Sequence, residues 1–340
     1  ADWEFGYSCD TSPDNCISVC VDTLPQHSLL SLLQALHQSL GAALNSADAQ
    51  NWESVATSFA REVSIELKYK AYGRRHPSLF SIDGVPQEEM IDPALQSLIR
   101  SAAAEHSRKS AREHLLASGL IHEVIDGLVF SFRVFTKAFC EMLMEEIDNF
   151  YGSKLPARRP NSMNNYGIIL NDIGLESLAF TLQDSVIQPL AAVLFPEAGS
   201  ELESHHAFTI RYRGEEDTHL DVHEDDSDVT FNVNIFGNYT GAPLIFCGIE
   251  GNAYHRRFQK AYQHELGYAV LHLGRHRHGA EEITSGERMN LIVWSYSHNY
   301  RSSSAFEPTN QREAAPPDAR CMSYTHDRDY EIHAPTRQKK

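Results

Sequence analysis

The chain has 340 residues, of which 42% are apolar and 22% are charged, and it is long enough for two domains or for one barrel with added helices. Its formal net charge of -17 argues against broad, non-specific binding of nucleic acid, because such binding requires clustered Lys and Arg along an extended path. The sequence contains no run of eighteen apolar residues, so no membrane span is expected.

The six cysteines are spread widely and have neither the spacing of a disulfide framework nor that of a paired zinc motif. We therefore expect reduced thiols and an intracellular protein, in the cytoplasm or the nucleus. Cys9, Cys16 and Cys20 lie closest together, and a zinc or disulfide role for these three is the alternative.

Residues 1–127 are predicted to form a mostly helical N-terminal region. Apolar side chains recur at helical spacing between residues 28 and 40. Asp92 followed by Pro93 supplies an N-cap and a first-turn proline for a helix that runs toward Gly119. No motif in this region can be tied to chemistry, so a helical scaffold or a partner-binding lobe is the expected role.

From residue 129 the sequence pattern changes. Residues 129–134 alternate as in a strand, and Thr136 then caps a predicted helix. A second helix is predicted from about Ser177 to Leu194, with a kink at Pro189. Residues 301–340 are rich in Pro, Arg and Asp with little apolar periodicity, which predicts a polar, extended or partly disordered tail.

Two histidines, one carboxylate and an arginine have the chemistry of a metal site that also binds a 2-oxo acid. His223 and Asp225 are two residues apart, so on a strand both side chains project to one face and can meet one metal ion. His278 follows an apolar, strand-like run over residues 267–273. Such a ligand set occupies one face of an octahedral Fe(II) and leaves three positions for a bidentate 2-oxo acid and O2. Arg288 opens the next apolar run, and its guanidinium can grip the far carboxylate of 2-oxoglutarate.

The H-x-D pattern occurs twice, because His219 and Asp221 lie four residues before the second pair. All four side chains have the same parity and would share a strand face. We favour the second pair because residues 226–228 read as a turn, and metal sites of this kind lie at strand ends. Ordinary polar strand residues are the favoured interpretation of the first pair.

The distal histidine also has alternatives, since His272, His276 and His278 fall within seven residues. The spacing to Arg288 and the glycine at position 279 favour His278 over His276. His272 is expected to be a packed strand histidine.

Several segments of the chain resemble a known enzyme family. They are Tyr212-Arg-Gly214, residues 223–233, residues 270–279 and Gly286-Glu-Arg288. In this order they resemble the prolyl and lysyl hydroxylase branch of the Fe(II)- and 2-oxoglutarate-dependent dioxygenases. Together with these segments, residues 159–170 carry a narrower resemblance, to the family of 2-oxoglutarate and iron-dependent oxygenase domain-containing protein 2. The likeness runs from about residue 130 to residue 295, roughly half of the chain.

The resemblance implies an α+β fold with a double-stranded β-helix (jelly-roll) core and buttressing helices. The oxygenase domain with its supporting helices is expected over residues 128–300, and its catalytic core over about 205–298. The helical region at 1–127 would precede it and the polar tail at 301–340 would follow it.

The resemblance also implies the roles of the candidate site residues. By motif position the Fe(II) ligands are His223, Asp225 and His278, Arg288 is the salt-bridge partner of 2-oxoglutarate, and Tyr212 hydrogen-bonds the same cosubstrate. O2 is the other cosubstrate, and ascorbate is a further cofactor that the resemblance suggests. In oxygen-sensing prolyl hydroxylases a tyrosine on the strand after H-x-D helps to hold 2-oxoglutarate, and the comparable position here is Asn234.

The substrate that the resemblance implies is a Pro or Lys side chain of a protein or peptide. Asn164, Asn165 and Tyr166 lie in an Asn-rich segment before an apolar run, and we expect them to shape substrate selection. The alternative is that these amides satisfy backbone groups in a tight turn.

Two other functions are compatible with the same fold. Oxidation or demethylation of a nucleic-acid base would require a positively charged groove and a stacking aromatic near the iron. Arginines at 158–159, 256–257 and 275–277 flank the predicted site and are candidates for such a groove, although solvated surface arginines are the simpler interpretation. A non-catalytic, partner-binding protein is the third possibility, and the complete set of two histidines, one aspartate and one arginine argues against it.

Overall fold

The computed structural model describes residues 69, 72–81, 84–252, 255–306, 318–326 and 329. Two compact units divide the chain, Ala1–Ala71 and Tyr72–Lys340, and all described residues except Tyr69 belong to the second. The predicted helix over residues 28–40 and the three N-terminal cysteines lie outside the described residues. The second unit begins well before residue 128, the predicted start of the oxygenase domain, because helices and a strand from the region before that residue pack in it.

Among the described residues, three α-helices precede the sheets: α1 (Gln87–Met90), α2 (Pro93–Ala103) and α3 (Arg108–Ala117). The Asp92 carboxylate caps α2 by accepting the backbone N–H of Ala94 at 2.9 Å, as predicted. The single helix predicted to run toward Gly119 is wrong, because α2 ends at Ala103. Ser107 then caps a new helix by accepting the backbone N–H of Ser110, since a serine hydroxyl competes with helix continuation.

Two antiparallel sheets form the centre of the unit. The six-stranded sheet has the order β1-β2-β8-β5-β10-β3, and the four-stranded sheet has the order β4-β9-β6-β7. The strands are β1 His122–Ile125, β2 Val129–Arg133, β3 Ser204–Arg213, β4 Leu220–His223, β5 Val229–Gly241, β6 Leu244–Ile249, β7 Lys260–Tyr262, β8 Tyr268–Leu273, β9 His276–Ala280 and β10 Ile283–Tyr296. Side chains of both sheets share one buried core, which includes Phe208, Ile292 and Trp294 from the large sheet and Leu244, Phe246 and Ala280 from the small one. The predicted α+β double-stranded β-helix is therefore confirmed.

Helices cover the large sheet, as its strand sequences require. The central strands β5 and β10 are buried over long continuous runs rather than at alternate residues, which indicates that both faces of the sheet are covered. Helix α4 (Lys137–Gly152) contacts β5, and helix α5 (Glu176–Leu194) contacts β3. The Thr136 hydroxyl caps α4 by accepting the backbone N–H of Phe139 at 3.1 Å, as predicted.

Helix α5 was predicted to kink at Pro189, and the structure has a π-helical turn close to that proline. A π-helical turn over Gln183–Ile187 ends just before Gln188 and Pro189, where a proline ring would clash with the carbonyl of a regular α-helical turn. By length and hydropathy alone this helix could cross a membrane, but half of its most apolar window is buried inside the protein. Leu182, Val186 and Ile187 are completely buried, as in the core helix of a folded domain.

The C-terminal segment corrects two predictions. Cys321 forms a disulfide with Cys247 of β6, although the two were expected to be reduced thiols, and their Cα atoms lie 5.8 Å apart. Asp329 is completely buried and pairs with Arg277 of β9 at 2.7 Å, so the described part of residues 301–340 is not a simple polar tail. Both contacts join residues that are more than fifty positions apart, which the local sequence pattern does not encode.

Candidate metal centre

The three candidate metal ligands meet at the end of two paired strands. His223 is the last residue of β4, His278 lies in β9, and their Cα atoms are direct partners in the antiparallel ladder. Asp225 follows β4 after one residue, and its backbone N–H donates to the carbonyl of Gly274 at 3.0 Å. In the described part of the chain these three residues form one group whose ligand atoms all lie within 4.8 Å of one another.

Backbone carbonyls orient both imidazoles. The Nδ1 atom of His223 lies 2.7 Å from the carbonyl oxygen of Asp221, and that of His278 lies 2.8 Å from the carbonyl oxygen of His276. Because a carbonyl oxygen can only accept, each Nδ1 carries the proton and each Nε2 keeps its lone pair. The two Nε2 atoms face Asp225, at 3.4 and 3.5 Å from its carboxylate oxygens. Three lone-pair donors therefore converge, as a metal site requires.

The electrostatics of the group favour the protonation states that a metal needs. Burial by itself would raise the pKa of Asp225, but His278 and His223 lower it well below its usual range. Burial lowers the pKa of His278, which favours the neutral ring. The Thr230 hydroxyl also donates to Asp225 Oδ2 at 2.7 Å. An ionised carboxylate next to a neutral histidine is the state in which metal binding needs no loss of protons.

The earlier H-x-D pair serves another purpose. His219 is exposed, and the strand β4 begins only after it. The carboxylate of Asp221 accepts the backbone N–H of Thr325 at 2.8 Å and also that of Tyr324. Asp221 therefore anchors the C-terminal segment and is not part of the metal-ligand group.

The two alternative histidines, His272 and His276, do not belong to the group of candidate metal ligands. The Nε2 atom of His276 lies 2.7 Å from the carbonyl oxygen of Cys247. His272 is completely buried, its Nδ1 atom lies 2.8 Å from the carbonyl oxygen of Leu273, and its ring packs against that of His278 at 4.6 Å. His272 is thus the packed strand histidine that was expected.

Arg288 is a completely buried cation on β10. Its guanidinium donates to the carbonyl of Ala242 at 2.5 Å, to Asn290 Oδ1 at 3.0 Å and to His264 Nδ1 at 2.9 Å. Among the described residues no carboxylate pairs with it, and burial lowers its pKa. Since a buried charge is costly without a counter-charge, this guanidinium is suited to bind an anion.

Tyr212 lies next to Arg288, because the two residues are direct partners in the ladder of β3 and β10. The amide of Asn164 donates to the Tyr212 hydroxyl oxygen at 3.3 Å. Burial raises the pKa of Tyr212 to about 12, so the phenol stays protonated and its own O–H can donate to a bound oxygen.

A pocket borders the candidate metal centre, and Arg288 is not among the residues that line it. Its lining includes the three candidate ligands and Tyr212, and apolar side chains such as Phe208 and Trp294 form much of its wall. Of the three residues expected to shape substrate selection, Asn164 is part of this lining. Asn165 instead donates to the Asp217 carboxylate at 2.8 Å, and the Tyr166 side chain is 39% exposed outside the lining.

The sequence motifs did not indicate Asn232, Asn290 or His264, which lie around Arg288. Asn232 lines the cavity, and Asn290 donates to its side-chain oxygen at 2.6 Å. Asn234, the position compared with the tyrosine of prolyl hydroxylases, donates to Asn290 Oδ1 at 3.0 Å and is not part of the cavity lining. The available signal was the presence of amides inside apolar strands, where a polar side chain needs a buried partner. His264 carries no such signal, since it lies between strands.

Three of the flanking arginines bind carboxylates of the protein itself. Arg158 pairs with Asp172 at 2.7 Å, and Arg256 pairs with Asp329 at 2.6 Å. Arg277 is completely buried against the same aspartate. These pairings do not favour a basic groove for nucleic acid.

Known proteins are similar to this chain in sequence. A family model described as OGFOD2-like domain matches residues 69–200. The 2-oxoglutarate and iron-dependent oxygenase domain-containing protein 2 of Xenopus tropicalis is 34% identical over 247 residues, which cover 72% of this chain and 67% of the relative. The corresponding protein ICU11 of Arabidopsis thaliana is 40% identical over 183 residues, which cover 51% of this chain and 46% of the relative.

A solved structure has a partial likeness to this chain. It is a prolyl hydroxylase from Trichoplax adhaerens in complex with a peptide fragment of hypoxia inducible factor, with 13% identity and a TM-score of 0.42 over 59% of this chain and 98% of that one. The chain spans between about half and two thirds of the length of the two curated relatives. On the similarity to the Xenopus protein, the chain belongs to the family of 2-oxoglutarate and iron-dependent oxygenase domain-containing protein 2.

Proposed function

We propose that this protein is an Fe(II)- and 2-oxoglutarate-dependent dioxygenase that couples decarboxylation of 2-oxoglutarate to hydroxylation of a substrate. The observation that carries the proposal is the convergence of His223, Asp225 and His278 in a pocket that Tyr212 also lines. The ladder partner of Tyr212 is Arg288, a buried arginine that no carboxylate of the described residues neutralises. The names of the family members, which specify iron and 2-oxoglutarate, support the same reaction.

The Nε2 atoms of His223 and His278 and a carboxylate oxygen of Asp225 would hold the metal. When bound, Fe(II) supplies the activation of O2 that accompanies the conversion of 2-oxoglutarate to succinate and CO2. The protein contributes by holding the ligands in one orientation, through the carbonyls behind the two imidazoles and the Thr230 hydroxyl behind the carboxylate. Burial of all three ligands excludes bulk water from the reacting groups.

Arg288 and Tyr212 would hold the cosubstrate. The guanidinium pairs with the carboxylate that is remote from the metal, and the protonated phenol of Tyr212 donates a hydrogen bond to the same molecule. Both side chains are almost completely buried, which strengthens their interaction with an anion.

The substrate that we propose is a Pro or Lys side chain of a protein or peptide. The support is the likeness of the motifs around His223 and His278 to those of prolyl and lysyl hydroxylases, together with a cavity whose wall combines apolar side chains with the amides of Asn161 and Asn164. The net charge of -17 disfavours a nucleic acid as the substrate.

An anaerobic titration tests the reaction class. We expect the wild-type protein to develop a visible charge-transfer absorption band with Fe(II) and 2-oxoglutarate, and we expect Asp225→Ala and His278→Ala to lose it. Asp221→Ala is the matched control, since Asp221 lies in the same segment but anchors the C-terminal residues. A band in Asp225→Ala and none in Asp221→Ala would reverse the ligand assignment, and no wild-type band despite bound iron would contradict the use of 2-oxoglutarate.

The substrate class needs a separate assay. Peptides that contain Pro or Lys, and a methylated oligonucleotide, are incubated with the loaded enzyme, and mass spectrometry locates any added oxygen. We expect oxygen on a peptide side chain with stoichiometric release of succinate. Oxidation of the oligonucleotide alone would favour the nucleic-acid alternative.

A further inference from the structure

We propose that His264 is a positioning residue of the cosubstrate site, whose neutral imidazole accepts a hydrogen bond from Arg288 and holds the guanidinium in place for the remote carboxylate of 2-oxoglutarate. This inference rests on the proposed function. It adds a residue that no motif of the sequence indicates, because His264 lies in the connection between β7 and β8.

The geometry determines the tautomer of His264. Its Nε2 atom lies 3.1 Å from the backbone carbonyl oxygen of Asn232, which can only accept, so Nε2 carries the proton. Its Nδ1 atom lies 2.9 Å from a terminal nitrogen of Arg288, and a guanidinium can only donate. The ring is therefore an acceptor toward the arginine and a donor toward β5. Burial and the nearby Arg288 also lower the pKa of His264 well below its usual value, in agreement with a neutral ring.

The hydrogen bonds around Arg288 form a closed circuit. The Nε atom of Arg288 donates to Asn290 Oδ1 at 3.0 Å, and the amide of Asn290 donates to Asn232 Oδ1 at 2.6 Å. His264 completes the circuit by joining the backbone of Asn232 to the other side of the guanidinium. All four residues are at most 5% exposed. Because all members of the circuit are buried, it holds the guanidinium in one orientation.

The circuit also leaves the positive charge of Arg288 uncompensated. Its other members are two amides and a neutral imidazole, and none of them is an anion. A carboxylate in the place of His264 would hold the arginine equally well but would neutralise it and compete with the cosubstrate. A histidine supplies the required acceptor without the charge, which is the physical reason that we assign it this role.

The first test compares two substitutions. His264→Phe keeps much of the ring volume but removes the acceptor, and we expect the Kd of 2-oxoglutarate to rise by about 10- to 100-fold. His264→Asn retains an acceptor near the position of Nδ1, and we expect it to restore most of the affinity. The Kd values come from anaerobic titration of the Fe(II)-loaded protein, and the Kd of Fe(II) is measured in parallel and should not change. His205→Phe, which alters a histidine of β3 outside the circuit, is the control.

A double-mutant cycle then separates positioning from a general structural effect. If His264 acts through Arg288, His264→Phe should weaken 2-oxoglutarate binding much less in an Arg288→Ala background than in the wild type. Equal losses in both backgrounds, wild-type affinity in His264→Phe, or equal weakening of Fe(II) and 2-oxoglutarate would each overturn the inference.

A readout that does not depend on 2-oxoglutarate keeps this inference distinct from the proposed function. Long-range ¹H–¹⁵N NMR correlations of the wild-type protein should show the Nε2–H tautomer of His264, and Arg288→Ala should shift its Nδ1 resonance. A different tautomer, or an unaltered Nδ1 resonance, would overturn the contact itself. Failure of the wild-type protein to bind 2-oxoglutarate would instead contradict the proposed function.

Discussion

Backbone carbonyls and one hydroxyl set the geometry of the candidate ligands at the scale of single residues. The carbonyls of Asp221 and His276 bind Nδ1 of the two imidazoles, and Thr230 binds the carboxylate of Asp225. Because a carbonyl oxygen can only accept a hydrogen bond, these contacts place the proton of each neutral imidazole on Nδ1. The Thr230 hydroxyl is the one side-chain donor among these three supports and can be removed by substitution.

We expect Thr230→Val to weaken Fe(II) binding by about 10-fold, the lower end of what loss of a partner behind a metal ligand costs. Valine has nearly the same shape, so the strand should be retained while Asp225 loses the hydrogen bond at 2.7 Å. Equilibrium titration with Fe(II) under anaerobic conditions measures the change. Thr284→Val, which removes an exposed hydroxyl far along β10, is the control and should bind Fe(II) like the wild type.

His205 provides a pH-dependent term that is independent of the metal. Both of its ring nitrogens are buried without a hydrogen-bond partner, and burial lowers its pKa to about 4. The unfolded chain therefore binds the proton at higher pH than the folded one. The contribution to stability is fully present above pH 6.5 and is lost as the pH falls toward 4.

We expect His205→Phe to remove about 2 kcal/mol of the stability loss between pH 7.5 and pH 4.5. Urea unfolding of both proteins at the two pH values measures this difference. His122→Phe, at an exposed position of β1, should leave the pH dependence unchanged. A His205→Phe variant with the same pH dependence as the wild type would contradict the assigned cost of burying this ring.

At the scale of elements, the C-terminal segment over residues 318–326 and 329 is part of the small sheet's packing. The disulfide joins it to β6, the Asp329 carboxylate joins it to Arg277 of β9, and Asp221 of β4 binds its backbone. Its His326 ring lies 6.0 Å from the ring of His223. One segment therefore ties together the strands that carry the candidate ligands.

We expect Asp329→Ala to lower the free energy of unfolding by about 3–5 kcal/mol, because the completely buried Arg277 loses its carboxylate partner. Asp226→Ala is the matched control, since Asp226 also pairs with an arginine, at 3.2 Å, but its side chain is 79% exposed. For that exposed pair we expect a loss below about 1 kcal/mol. Chemical denaturation of the three proteins under the same conditions measures the changes, and equal losses would contradict the difference in burial.

At the scale of the whole molecule, the compact unit that starts at Tyr72 contains both sheets and the complete candidate site. The family model begins close to this boundary, at residue 69. We expect a truncated chain of residues 69–340 to unfold cooperatively and to give the same charge-transfer band with Fe(II) and 2-oxoglutarate as the full chain. Loss of the cooperative transition would show that residues 1–68 are needed for the stability of this unit.

Short-range features of the sequence predicted a large part of the fold. The Asp92 and Thr136 caps, the periodic strands β2, β8 and β10 and the irregularity before Pro189 all follow from short-range rules of capping, alternation and backbone sterics. The spacing of His223 and Asp225 belongs to the same class, since two residues are one strand repeat. Such features depend on neighbours within a few positions and can be read from the sequence.

Contacts between distant segments were decided by the tertiary structure alone. The disulfide of Cys247 joins residues 74 positions apart, and the contact of Arg288 with His264 joins residues 24 positions apart. Asp221 illustrates the limit most directly, because by sequence spacing it was as suitable a ligand as Asp225. Its carboxylate binds the C-terminal segment instead, since the end of β4 and the ladder with β9 determine which face of the chain meets His278. The sequence determined the types of ligand, and three-dimensional packing determined which residues of each type share a site and which neighbours orient them.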